Sequence, residues 1–119
     1  MYVYQDFSKT DKKKIEPLIE LAVQREIANF AKESFPMHRD LSEKTYEDIR
    51  VPYWELFEKF KDFSKHLTRT YDGNSHTHLP SKVAAAIANG DLSMEDIADF
   101  SEEGKIKFEE MVARFRSWR

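Results

Sequence analysis

Metal-ligating side chains gather at one place in this chain. His76 and His78 stand one residue apart in NSHTH, Asp72 lies just upstream, and His66 sits further back in a helical pattern. Imidazole nitrogens with a carboxylate are the donor set that suits zinc or a similar ion. An H-x-H pair in a polar loop, with no third ligand at a fixed spacing, reads more simply as solvated histidine. His38 is less specific still. No resident metal and no cofactor are therefore expected, and metal binding through the His76/His78 loop stands as a further alternative.

A second constellation is one of charge. From Asp91 to Glu103 there are six acids and no Lys or Arg, whereas Lys105, Lys107, Arg114, Arg116 and Arg119 follow. If 94–118 is one helix, it is strongly polarised. Asp91, Glu95, Asp99 and Glu103 would then face Arg114, Arg116 and Arg119 of an antiparallel second copy, or the two charged ends would orient a charged partner. Gly104, on the seam of that helix, would permit a close backbone approach or mark a restart at Ser101. The plainer reading is a set of solvated faces, with acids favoured at a helix start and bases at its end.

Val83 to Phe100 has the outline of a helix-turn-helix around Asn89-Gly90-Asp91, which makes DNA binding through 83–100 the alternative function. Its second helix would present Glu95, Asp96 and Asp99, a face that repels phosphate. The formal net charge of −3 also disfavours nucleic acid as a partner. Catalysis finds no support: the chain lacks G-x-S-x-G, a Gly-rich phosphate loop, H-E-x-x-H and E-x-x-H. Glu109 and Glu110 point to different sides of a helix, and Glu16 with Glu20 suit a wet helix face.

The elements that must position these groups are helical. Tyr46 to Tyr71 holds apolar or aromatic residues at 46, 49, 53, 56, 60, 63 and 67, alternating steps of three and four. This predicts a core helix that the other segments cover. Trp54 and Phe57 widen its stripe beyond a two-stranded seam, which predicts more than one neighbouring helix. Upstream, Ile15, Leu18, Ile19, Ala22, Val23, Ile27, Phe30 and Ala31 share a face, and Pro36 is expected to stop that helix near Ser34. Pro17 either opens it or kinks a helix capped earlier by Ser8 or Thr10. Ser42 or Thr45 can cap the second helix, with a kink or break near Asp48 to Val51 ahead of Pro52.

Asp72, Gly73, Asn74 and Ser75 read as a loop. Leu79 to Asn89, between Pro80 and Gly90, reads as a short helix. Ser93 with Asp96 resembles a capping box for the last helix, whose seam runs Ile97, Phe100, Phe108, Met111, Phe115 and Trp118. Residues 1–7, with Tyr2, Val3, Tyr4 and Phe7, read as a short extended arm packed on the rest.

The expected fold is an all-α, single-domain bundle of four main helices over 1–119, roughly 10–34, 45–71, 80–89 and 94–118, with Pro17 and Pro52 as candidate kink sites. A chain of 119 residues buries enough surface to fold unaided. The lack of cysteine agrees with a reducing, cytoplasmic setting, and neither a secretory signal nor a membrane span is expected. The expected function is that of a soluble, non-catalytic protein acting through another protein or a homodimer, as a regulator, inhibitor or accessory subunit.

Overall fold

Ser8 opens the first helix: its Oγ accepts the Asp11 N–H at 3.1 Å, the side-chain cap that an orphan first-turn donor requires. The computed structural model describes residues 1–45, 47–71 and 76–118, with His76 described by its backbone. Among the described residues the protein is all-α and has no strand. Its four helices are Lys9–Ser42 (α1), Arg50–Tyr71 (α2), Leu79–Asn89 (α3) and Glu102–Ser117 (α4), with 3-10 turns at Tyr4–Asp6, His76–His78 and Met94–Ile97. Among the described residues no helix is long and apolar enough to cross a membrane. The expected loop at Asp72 to Ser75 lies outside the described residues.

Two helix boundaries depart from expectation. α1 does not stop before Pro36 but continues to Ser42, running through Pro17 as well. A helical proline leaves the carbonyl four residues back without its donor. Here Pro17, Pro36, Lys13 and Lys32 are all exposed, so both orphaned carbonyls are on the solvent side where water can serve them. The opposite side keeps its spacing: Phe30 and Ser34 are buried, and Met37 and Leu41 are half-buried. Burial along that line outweighs the local preference of the residue before proline. α2 begins at Arg50 rather than Thr45, whose Oγ1 instead donates to Asp48 Oδ2 at 3.3 Å. Pro52 thus falls in the first turn, where a missing N–H costs no hydrogen bond.

Contacts cluster into two compact units, Met1–Arg25 with Gly73–Arg119, and Glu26–Asp72. In the first, small residues bring α3 against α4: Val83, Ala84, Ala86 and Ile87 are buried with Phe108, Met111 and Val112. Gly90 closes α3 in the left-handed region at φ 90°, which an L side chain rarely adopts, and the Asp91 N–H donates back to the Ala86 carbonyl at 2.9 Å. The N-terminal arm does pack, but through a 3-10 turn rather than fully extended. Phe7 is buried with its ring centroid 5.0 Å from that of Phe108, and Asp6 Oδ2 accepts the Val3 N–H at 2.8 Å.

The last helix is broken, which corrects the expectation of one helix over 94–118. Met94–Ile97 is a 3-10 turn whose Asp96 Oδ2 accepts the Ser93 N–H at 2.8 Å, and α4 restarts with Ser101 as its cap. The break is organised by a buried carboxylate. Asp11, 1% exposed, accepts the Ser101 N–H on Oδ1 at 3.0 Å and the Ser101 hydroxyl on Oδ2. Ser101 Oγ in turn accepts the Gly104 N–H at 3.1 Å. A Cβ on Gly104 would lie 2.5 Å from Asp11 Oδ2, so what approaches this glycine is a side chain of the same molecule and not another backbone, while the restart at Ser101 does occur. The seam also ends early: Phe108 and Met111 are buried and Phe115 is half-buried, whereas Trp118 is exposed.

Burial opposes ionisation of Asp11, but the hydrogen bonds from Ser101 and Ser8 and the charge of Lys14 outweigh it and hold its pKa below the ordinary value. For a carboxylate lowered on folding, the stabilisation is present above the unfolded value, near ~3.9, and is lost as pH falls through the folded one. Asp11→Ala is expected to destabilise by about 2–4 kcal/mol at neutral pH, with the difference shrinking in urea melts as the pH falls below the unfolded carboxylate value. Gly104→Ala should also destabilise, the overlap with Asp11 outweighing a helix-propensity gain of about 1 kcal/mol.

Candidate functional site

The aromatic helix is the exposed one. Of α2, only Leu56 and Tyr71 are buried. Ile49 just ahead of it, and Pro52, Phe63 and Leu67 within it, are half-buried. Val51, Tyr53, Trp54, Phe57 and Phe60 stand 66, 50, 51, 45 and 49% exposed. This overturns the expectation of a helix covered all round. Tyr46, the start of the predicted stripe, lies outside the described residues.

Within the Glu26–Asp72 unit, α2 has one helical neighbour, the C-terminal part of α1, and Phe30 makes the contact. Its ring stacks on Phe63 at a centroid distance of 4.1 Å and 3° between planes, and meets Phe60 edge-on at 5.0 Å. One such contact covers one line of side chains. The stripe of α2 is wider than that, so its remaining aromatics turn outward and touch mainly one another. Trp54 sits edge-to-face with Tyr53 at 5.3 Å and with Phe57 at 5.6 Å. Ile27 and Phe35 of α1 are exposed in the same unit.

Two shallow grooves run along the outward side of α2. One holds Val51 and Trp54 with the acids Glu55, Glu58 and Asp62 and the base Lys59. The other holds Phe57 and Phe60 with the bases Lys61, Lys65 and Arg69. The outer face is therefore apolar toward the N-terminal half and basic toward the C-terminal half, with acids flanking the apolar part.

The residues singled out from sequence are placed elsewhere and apart. His66 is engaged within its own unit: its Nε2 lies 2.7 Å from Glu26 Oε1, while Glu26 Oε2 is buried without a hydrogen-bond partner. His78 is exposed just ahead of α3, and its carbonyl accepts the Ser81 hydroxyl at 2.9 Å. Asp72 and the His76 side chain lie outside the described residues. Among the described residues there is no group of three His, Cys, Asp or Glu side chains that could hold a metal ion.

Of the proposed charged set, Asp91, Glu95 and Asp99 precede α4 instead of riding on it, so only Glu103, Arg114 and Arg116 share that helix; Arg119 lies outside the described residues. The acidic segment is engaged internally. Arg25 bridges to Asp96 at 2.7 Å and donates to the Asp91 carbonyl at 3.1 Å, and Lys14 lies 3.7 Å from Asp99. Hydrogen bonding from Arg25, ahead of the opposing burial, lowers the Asp96 pKa. The second helix of a helix-turn-helix over 83–100 does not form, since four residues of 3-10 turn occupy its place.

Sequence reasoning missed Asp11, Arg25 and the outward face of α2. A signal for the face was present: between 51 and 60 the apolar side chains occupy more of the helix circumference than one partner helix covers. No protein-family model matches the chain, and comparison with curated proteins and with solved structures likewise finds no match.

Exposure of Trp54 and burial of Leu56 make opposite mutational demands. Trp54→Ser is expected to change stability by no more than about 0.5 kcal/mol, whereas Leu56→Ala should cost about 2–5 kcal/mol in denaturant melts. With Trp118 also exposed, acrylamide should quench the native fluorescence nearly as well as it quenches free tryptophan.

Proposed function

We propose that this protein acts without catalysis, by docking another protein on the outward face of α2, in the manner of a regulator, inhibitor or accessory subunit. The observation that carries the reading is the run Val51, Tyr53, Trp54, Phe57 and Phe60, each at least 45% exposed within ten residues of one helix. Single exposed apolar residues are ordinary, but a contiguous aromatic patch rimmed by charge is characteristic of an interface. Trp and Tyr are also the side chains that most often dominate binding energy, because they bury a large rigid surface at small entropic cost. Glu55, Glu58, Lys61 and Lys65 around them supply the polar rim that orients a partner.

The test is affinity capture from native extract with the wild type, with Trp54→Ser/Phe57→Ser, and with Trp118→Ser as the control for an exposed indole outside α2. A protein retained by the wild type and the control, and lost at least about tenfold from the double variant, is the expected result. Retention of nucleic acid alone, or of a protein indifferent to Trp54 and Phe57, overturns the reading.

A further inference from the structure

Resting on that reading and naming its partner, we infer that the α2 face pairs with the α2 face of a second copy of this chain, antiparallel and about a two-fold axis. The charge pattern carries the inference. Along the outward side of α2, Glu55 and Glu58 come first, Lys59 follows them, Lys61 and Asp62 stand at the middle, and Lys65 and Arg69 come last; antiparallel pairing about residues 61 and 62 sets Lys59 opposite the uncharged Ser64. Laid antiparallel, the register that sets Asp62 opposite Lys61 of the second copy also sets Glu58 opposite its Lys65, and leaves Glu55 one residue from the position level with its Arg69. The two-fold passes beside residues 61 and 62, so each pair occurs twice, as a self-complementary interface requires. A parallel pairing would set acid beside acid and base beside base, at a cost in repulsion.

The same register serves the aromatic residues. Trp54 comes level with Arg69 of the second copy, and Phe57 with the turn that holds its Lys65. A guanidinium or ammonium over an aromatic face is an attractive contact, and the aliphatic stems of Arg and Lys cover apolar surface. Each copy's apolar half is thereby covered by the other's basic half, and the basic half in turn finds its acids. The charges are exposed, so the pairing is steered by electrostatics that salt screens, while its apolar part persists.

Charge reversal with rescue tests it. Lys65→Glu/Arg69→Glu and Glu55→Lys/Glu58→Lys are each made in the full chain, with far-UV circular dichroism verifying that both fold. In sedimentation at low salt the wild type is expected to dimerise by roughly 100 µM, as suits a small interface. Each variant alone should be monomeric, because like charges then face each other at every outer pair. A one-to-one mixture should recover a heterodimer, since all four outer pairs become opposite again. A monomeric wild type, a wild-type dimer unaffected by either reversal, or a mixture that stays monomeric overturns the inference. If the wild type is monomeric yet captures a different protein through Trp54 and Phe57, the docking reading survives and the self-pairing falls.

Discussion

The Asp11 carboxylate is the constraint on which the larger unit depends. It leaves water almost completely, and a buried carboxylate is tolerable only when its lone pairs are answered. Ser101 answers two of them, with its backbone N–H and its hydroxyl, and the same hydroxyl then takes the Gly104 N–H at the start of α4. One ionised group thus joins the first turn of α1 to the first turn of α4, 90 residues apart in sequence. Its negative charge is also well placed electrostatically, because the start of a helix carries partial positive charge. Gly104 follows from this arrangement: the space a side chain would need is taken by the carboxylate.

Around that node the acidic stretch of the chain becomes structural. Asp96 closes its own turn with Ser93 and pairs with Arg25, and Asp99 lies beside Lys14. Both bases come from α1, so the segment between α3 and α4 is held by charges that its own sequence neighbourhood lacks. A run of six acids with no base among them looks like a surface awaiting a partner. Much of it is answered within the chain.

The Glu26–Asp72 unit obeys the opposite economy. Its helices meet through Phe30, Phe60 and Phe63, and a two-helix unit has no second partner for the other side of α2. Large aromatic residues are left in contact with water, with a mainly acidic groove on one flank and a basic one on the other. Packing that satisfies one face of a broad apolar stripe creates an unsatisfied one, and this places the candidate site on the helix whose composition resembles a core most.

Local signals in the sequence determined a good deal. Three-and-four spacing specified helices, Pro52 and Gly90 marked real termini, and Ser93 with Asp96 formed its turn, because periodicity and capping act through residues a few positions apart. Tertiary structure alone decided the rest. Pro36 was overridden because its freed carbonyl is on the wet side of α1 while Phe30, Ser34, Met37 and Leu41 hold the dry side. The last helix broke at Ser101 because Asp11, far upstream, bonds to it there. Whether Trp54 and Phe57 were core or surface depended on how many helices came to cover α2, and a one-dimensional pattern records which side chains are apolar but not what arrives to bury them.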